Sequence, residues 1–140
     1  MDRLRVGISR CLLGDEVRYD AGHKRDAFLV ETLGREVEWV PVCPEVEMGM
    51  GTPREPIQLV ASNRGVASAR HRVRLVGVTS GRDWTDEMVR WRRARLRDLV
   101  DAGLSGYVLK AGSPSCGLAR VPVHDARRAR RDGRGLFAQA

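Results

Sequence analysis

A chain of 140 residues, 42% hydrophobic and 31% charged, is the size of one ordinary domain with a core, and no run approaches the roughly 18 apolar residues needed to cross a membrane. Aromatic residues make up 5%, too few for the stacking surfaces of single-strand nucleic-acid binders. The formal charge of +7 is mostly arginine, gathered in Arg90 to Arg97 and Arg127 to Arg134; a solvated helix face with a basic tail explains it, and so does attraction to a nucleotide phosphate or an RNA backbone.

The N-terminal MDRLRVGIS has no signal-peptide core, so a cytoplasmic protein is expected. Leu4 to Ser9 reads as a buried strand, followed by a turn-rich stretch from Cys11 to Lys24. Arg25 to Leu33 reads as a helix, with Gly34 beyond its end as a C-cap. Val37 to Val42 reads as a second strand, which Pro41 shortens or confines to a sheet edge. Cys43 to Pro56 is a long loop rich in proline and glycine. Ile57 to Val60 and Arg72 to Val78 are short strand candidates.

Thr85 to Ala102 carries the best helix pattern. Thr85 suits the N-cap, Asp86 and Glu87 the positive end of the helix dipole, and Gly103 the C-cap. Met88, Trp91 or Arg92, Leu96, Leu99 and Val100 give it an apolar stripe. Gly106 to Lys110 is a strand, and Val121 to Val123 another. The stretch from 125 to 140 reads as a basic, exposed tail whose closing GLFAQA looks like the start of a helix. Strands alternating with helices predict an α/β fold in one domain, 1–140, with a mainly parallel sheet and helices on both faces.

The three cysteines are Cys11, Cys43 and Cys116. An odd count, no secretion signal and no CxxC pair argue against a disulfide framework, a zinc ribbon or a thioredoxin-like site. Three small buried hydrophobes is the bland reading. Yet each cysteine follows the C-terminal end of a predicted strand, the edge where open α/β sheets form ligand sites. A shared metal or cluster site is therefore expected. Zinc with three thiolates and a water is acceptable chemistry. An iron–sulfur cluster normally takes four thiolates, so a cluster here leaves one iron for a substrate, solvent or a non-cysteine ligand. In KAGSPSCG (Lys110 to Gly117) a proline two residues before the cysteine and a glycine after it build a loop that holds a thiol in place.

Together SRCLLGDEVRYDAGHK, PVCPEVEMGMGTPREP and KAGSPSCG resemble the thiouracil desulfurase (TudS-like) family, in order and over nearly the whole chain. The resemblance implies a Rossmann-like fold and a 4Fe-4S cluster held by Cys11, Cys43 and Cys116. It implies removal of sulfur from thiolated uracils without net redox chemistry. The glutamate of the CPE motif, Glu45, is implied as catalytic, beside a serine of SPSC: Ser113 or Ser115, with Ser113 favoured. A carboxylate beside an open iron would take the proton of the attacking water; away from the resemblance Glu45 reads as a loop or capping carboxylate. Arg18, His23 and Lys24 are candidates for a phosphate or the pyrimidine edge, although His23 also suits a structural role. Lys110, at a strand end, is a further anion contact. Arg54 and Glu55 suit a simple salt bridge.

Two positions depart from the pattern: Arg10 where a small residue is expected, and Ala21 where glycine is common. GMGTPREP and LARVPVHD resemble the branch fused to a C-terminal domain and acting on 4-thiouridine in tRNA, so a missing C-terminal domain is expected. The substrate is then a thiolated uracil base, nucleotide or tRNA. The readings from other classes are an RNA- or partner-binding accessory domain with structural cysteines, and a Cys₃ zinc hydrolase.

Overall fold

The computed structural model describes residues 2–61, 73–125 and 128–140. Seven strands and two α-helices are assigned there: β1 (Leu4–Ser9), β2 (Val37–Val42), α1 (Pro44–Glu47), β3 (Ile57–Ala61), β4 (Val73–Gly77), α2 (Thr85–Asp101), β5 (Gly106–Val108), β6 (Val121–His124) and β7 (Ala129–Gly133). Arg72 and Arg127, which the sequence placed in a strand and in the basic tail, lie outside the described residues.

The α/β class and the parallel pairing hold, but the strands divide into two sheets. One is fully parallel, in the order β2-β1-β5, and the other runs β4-β3-β6-β7 with only β3 and β6 parallel. β1 is central in its sheet, which is why its run LRVGIS becomes steadily more buried toward Ile8 and Ser9. β2 is an edge strand, so Pro41 costs no ladder hydrogen bond that a central strand would need. Tyr107 pairs with Gly7 across β1 and β5, and its ring lies where a side chain on Gly7 would be: a Cβ there would sit 2.3 Å from Tyr107 Cδ2.

The expected helix from Arg25 to Leu33 is shorter and less regular. A wide turn over Phe28–Thr32 runs into a tight turn over Leu33–Arg35, and Gly34 falls inside it rather than past its end. Asp26 explains the late start, because its Oδ1 accepts the N–H of Leu29. α2 forms where expected, with Gly103 in the left-handed region at φ 69° beyond its end. Thr85 is its first residue rather than its cap. Its hydroxyl instead accepts the Leu75 N–H at 2.8 Å, tying α2 to β4, and Asp83 Oδ1 takes the Thr85 N–H at 2.9 Å. The apolar stripe is narrower than expected: Met88 and Leu99 are buried, while Leu96 and Val100 are exposed.

The core lies between α2 and the second sheet. Leu59, Leu75, Val121 and Val123 meet Met88 and Leu99, with Val42 and Cys116 joining from the first sheet's side. The C-terminal stretch is not a helix. Leu136 and Phe137 are 4% and 5% exposed, and the Phe137 ring lies 5.3 Å from Trp91 and 5.8 Å from Tyr107. The arginines on β7 remain exposed, in line with the expected tail, but the strand pairs with β6. No helix among the described residues is long and apolar enough to cross a membrane.

Two outcomes follow. Gly7→Ala should destabilise the protein by about 1–3 kcal/mol in urea unfolding, since Tyr107 must move or the sheet must open. Burial pulls the Asp83 carboxyl up, but Arg74 Nε at 2.7 Å and the Thr85 bonds outweigh it, so Asp83 ionises below the ordinary carboxylate range. Its contribution is thus present above the unfolded value of about 3.9 and lost as pH falls through the folded one. Asp83→Asn should cost about 0.5–1 kcal/mol at neutral pH, with the difference closing in acid.

Candidate active site

Three strand ends deliver the three cysteines to one place. Cys11 lies in the tight turn Arg10–Leu13 directly after β1, and its carbonyl accepts the N–H of Gly14 at 3.2 Å and of Lys24 at 2.9 Å. Cys43 follows β2 and precedes α1, with Pro44 at the first helical position. Its N–H donates to Glu47 Oε2 at 2.8 Å, and Glu47 Oε1 pairs with Arg95 Nε of α2 at 3.0 Å. Cys116 is set by the loop after β5, where Ser113 Oγ accepts the N–H groups of Ser115 at 3.1 Å and Cys116 at 3.0 Å.

Two further contacts lock that loop. Ser9, at the end of β1, accepts the Lys110 N–H at 3.0 Å, and its hydroxyl also bonds the Cys116 sulfur. The C-terminal stretch closes from behind, with Leu136 N–H donating to Pro114 O and Phe137 N–H to Ser115 O, both at 2.9 Å.

Cys11, Cys43 and Cys116 are free, buried and on the wall of one cavity of about 330 Å³. Glu45, Arg18, Lys110 and Ser113 line the same cavity. Ser115 does not: it is fully buried, and its hydroxyl has no partner. His23 and Lys24 are exposed and off the cavity wall, and His23 Nδ1 accepts the Arg25 N–H at 3.1 Å, which is the structural role. So the fold brings seven of the ten sequence candidates together and leaves His23, Lys24 and Ser115 outside.

Arg54 and Glu55 do not pair. Glu55 accepts the N–H groups of Thr79 and Ser80 and the Ser80 hydroxyl. Arg54 turns inward, onto the cavity wall, with Nη2 3.6 Å from Glu45 Oε2; the two side chains are 5% and 18% exposed. Arg54, Ser9 and the Glu47–Arg95 pair are site residues that sequence reading missed. None of them left a capping signal, since Glu47 stands four residues after Cys43, one beyond the capping-box spacing. The two departures also have places. Arg10 lines the cavity but is held by Asp15 at 3.1 Å, and Ala21 adopts φ 61°, a conformation that glycine enters without strain.

Burial dominates the charges. It pushes the Cys11 thiol up, against Lys110 and Arg18, and pushes Cys43 up, against the Val46 N–H. Cys116 is pushed up to about 12, chiefly by burial, with the Ser9 hydrogen bond opposing. Burial likewise raises Glu45 above the ordinary carboxylate range, against the pull of Arg54 and Arg18. The cations around the cavity thus favour negative charge on groups that burial alone would keep neutral.

The donor set can be weighed against its possible guests. Among the described residues, no three His, Cys, Asp or Glu side chains converge where one metal ion would sit. Zinc with three thiolates at about 2.3 Å requires that convergence. Three free thiols on one cavity wall are the donor chemistry by which iron–sulfur clusters are held.

A family model described as 2-thiouracil desulfurase matches residues 6–140. Among curated proteins, YbbK of Bacillus subtilis (strain 168) is 32% identical over 110 residues, 79% of this chain and 71% of that protein. Among solved structures, that of a 4Fe-4S-dependent thiouracil desulfidase, TudS, matches with a TM-score of 0.71 at 30% identity, covering 99% of this chain and 83% of the other.

The Glu47–Arg95 pair ties α2 to the loop of Cys43. Removing either side chain strands a partly buried partner, so Glu47→Ala and Arg95→Ala should be non-additive. A double-mutant cycle in urea should give a coupling of about 0.5–3 kcal/mol.

Proposed function

The chain belongs to the 2-thiouracil desulfurase family, and on that premise we propose that it removes sulfur from thiolated uracil with a 4Fe-4S cluster held by Cys11, Cys43 and Cys116. The observation that carries the reading is the meeting of three free, buried thiols and a buried Glu45–Arg54 pair on one cavity wall. The cavity of about 330 Å³ would hold the cluster at its thiol wall and the reacting ring beside it. Residues 1–140 form the desulfidase domain, and the enzyme works in the cytoplasm.

When bound, the cluster supplies an open iron, a soft Lewis acid suited to a thiocarbonyl sulfur. The net reaction, thiocarbonyl and water giving carbonyl and hydrogen sulfide, is redox-neutral. Glu45 takes a proton from the attacking water at a carboxylate oxygen, a role worth about 10²–10⁴-fold. Burial prepares it as a base stronger than an exposed carboxylate, and Arg54 and Arg18 oppose that rise. Pro44 fixes the backbone between Cys43 and Glu45 and so keeps ligand and base in one relation. Ser113 Oγ accepts two backbone N–H groups, which leaves its own proton to donate into the cavity. Arg18 and Lys110 offset the negative charge of three thiolates. The uracil is carried as a free base, a nucleotide or part of a tRNA.

Anaerobic reconstitution with iron and sulfide, followed by a sulfide-release assay on 2-thiouracil, 4-thiouracil, 4-thiouridine monophosphate and thiolated tRNA, tests the reading and ranks the substrates. Visible charge-transfer absorption with sulfide release is expected. A colourless protein that binds zinc, or a cluster protein inert toward all four compounds, would overturn it in favour of a zinc hydrolase or an RNA- or partner-binding domain. Cys43→Ala should lose the absorption. Glu45→Gln should keep it and lose about 10²–10⁴-fold in turnover. Ser113→Ala should lower turnover, whereas Ser115→Ala, which removes an unpaired buried hydroxyl, should leave both turnover and stability nearly unchanged.

A further inference from the structure

Arg54 has more hydrogen-bond donors than the protein uses. Its backbone N–H donates to Tyr19 O at 2.8 Å, which pins the residue to the cavity wall. Its Nη1 donates to Gly51 O at 2.9 Å and to Thr52 Oγ1 at 3.3 Å, and Nη2 faces Glu45. A guanidinium carries five N–H donors, so two remain without an acceptor. One of them, Nε–H, is buried and unpartnered among the described residues.

The other cations on this wall differ. Arg10 is paired with Asp15, the Lys110 ammonium donates to the Ala111 carbonyl, and Arg18 is only partly buried, 5.7 Å over the Tyr19 ring. Arg54 alone among these four is at once nearly fully buried, held by three backbone and side-chain anchors, and under-satisfied. A guanidinium held on the cavity wall with donors to spare gains from an acceptor that enters the cavity, and the second N–H of Nη2, the nitrogen beside Glu45, is the donor placed to take it.

We propose that Arg54 determines specificity by donating to the ring carbonyl oxygen of a thiolated pyrimidine while its Nη2 steadies Glu45 for attack at the thiocarbonyl carbon. The proposal rests on the desulfidase reading and adds the feature of the substrate that is recognised: an oxo group on the ring carbon that is separated from the sulfur-bearing carbon by one ring nitrogen. A site with a buried donor rejects a ligand that leaves the donor unpaired far more strongly than a plain apolar pocket rejects a poor fit. Thiolated rings without an oxo group are therefore poor substrates even though they carry the same reacting bond.

The test compares 2-thiouracil with pyrimidine-2-thione, which has the thiocarbonyl but no ring oxygen, in the reconstituted wild type, Arg54→Gln and Arg54→Lys. Wild type should prefer 2-thiouracil in kcat/KM by about 10- to 100-fold, the effect of a hydrogen bond to a charged donor. Both variants should lose most of that preference. Arg54→Lys, which keeps a cation beside Glu45, should retain more turnover than Arg54→Gln. A general structural or Glu45-supporting role would lower both substrates equally and leave the ratio intact, and that result would overturn the proposal. A second arm needs no turnover: uracil binding to the same proteins by calorimetry, with thermal melts to verify folding. Uracil affinity should fall by about 10- to 100-fold in Arg54→Gln. Unchanged affinity, or no uracil binding by wild type, counts against Arg54. Arg54-dependent uracil binding without any sulfide release would instead keep Arg54 as the donor to the ring oxygen and remove the desulfidase reading together with its support of Glu45.

Discussion

Parallel pairing of β1 with both β2 and β5 places the chemistry, because parallel neighbours end at the same edge of the sheet. Cys11, Cys43 and Cys116 come from three distant parts of the chain, and each follows one of these strands. No local interaction could hold them together. Their meeting depends on β1 remaining central, and that depends on Gly7 admitting the Tyr107 ring. The same ring then packs against Phe137, so the sheet's inner contact and the C-terminal closure share one side chain.

The edge would still be a set of loose loops without contacts that fix each one separately. The Cys11 turn is closed by backbone bonds to its carbonyl. The Cys43 loop is held from α2 by Glu47 and Arg95. The Cys116 loop is gripped from three sides, by its own Ser113, by Ser9 of the neighbouring strand and by the backbone of Leu136 and Phe137. A site whose anchors are spread over so many elements has its geometry set by the fold rather than by any one loop.

Electrostatics follows from burial. Hiding three thiols and a carboxylate raises the cost of charging all four; the surrounding arginines and lysine lower it for Cys11, Cys43 and Glu45, and the Ser9 hydrogen bond does so for Cys116. The +7 of the chain therefore has two destinations. Arg18, Arg54 and Lys110 serve the cavity, while the arginines of β7 face solvent. Composition alone counts them together.

What the sequence determined by itself was what neighbouring residues encode. Apolar runs marked β1 and β2 to the residue, and alternation with α2 implied an α/β fold whose strand ends carry cysteines. The three motifs pointed to the family, and turn formation at Ser113 was legible, whereas Pro44, read within a long loop, opens the short helix α1. What only the tertiary structure decided were the pairings between segments with no shared periodicity. Arg54 lies beside Glu55 in sequence yet faces Glu45, because the intervening loop folds it back. Ser113 and Ser115 are chemically alike two positions apart, and only the fold turns one to the cavity and the other into the interior. GLFAQA resembles a helix start, but Leu136 and Phe137 gain more by filling the gap behind the Cys116 loop. Local pattern reports which side chains want burial, whereas the three-dimensional packing decides which partner each one finds.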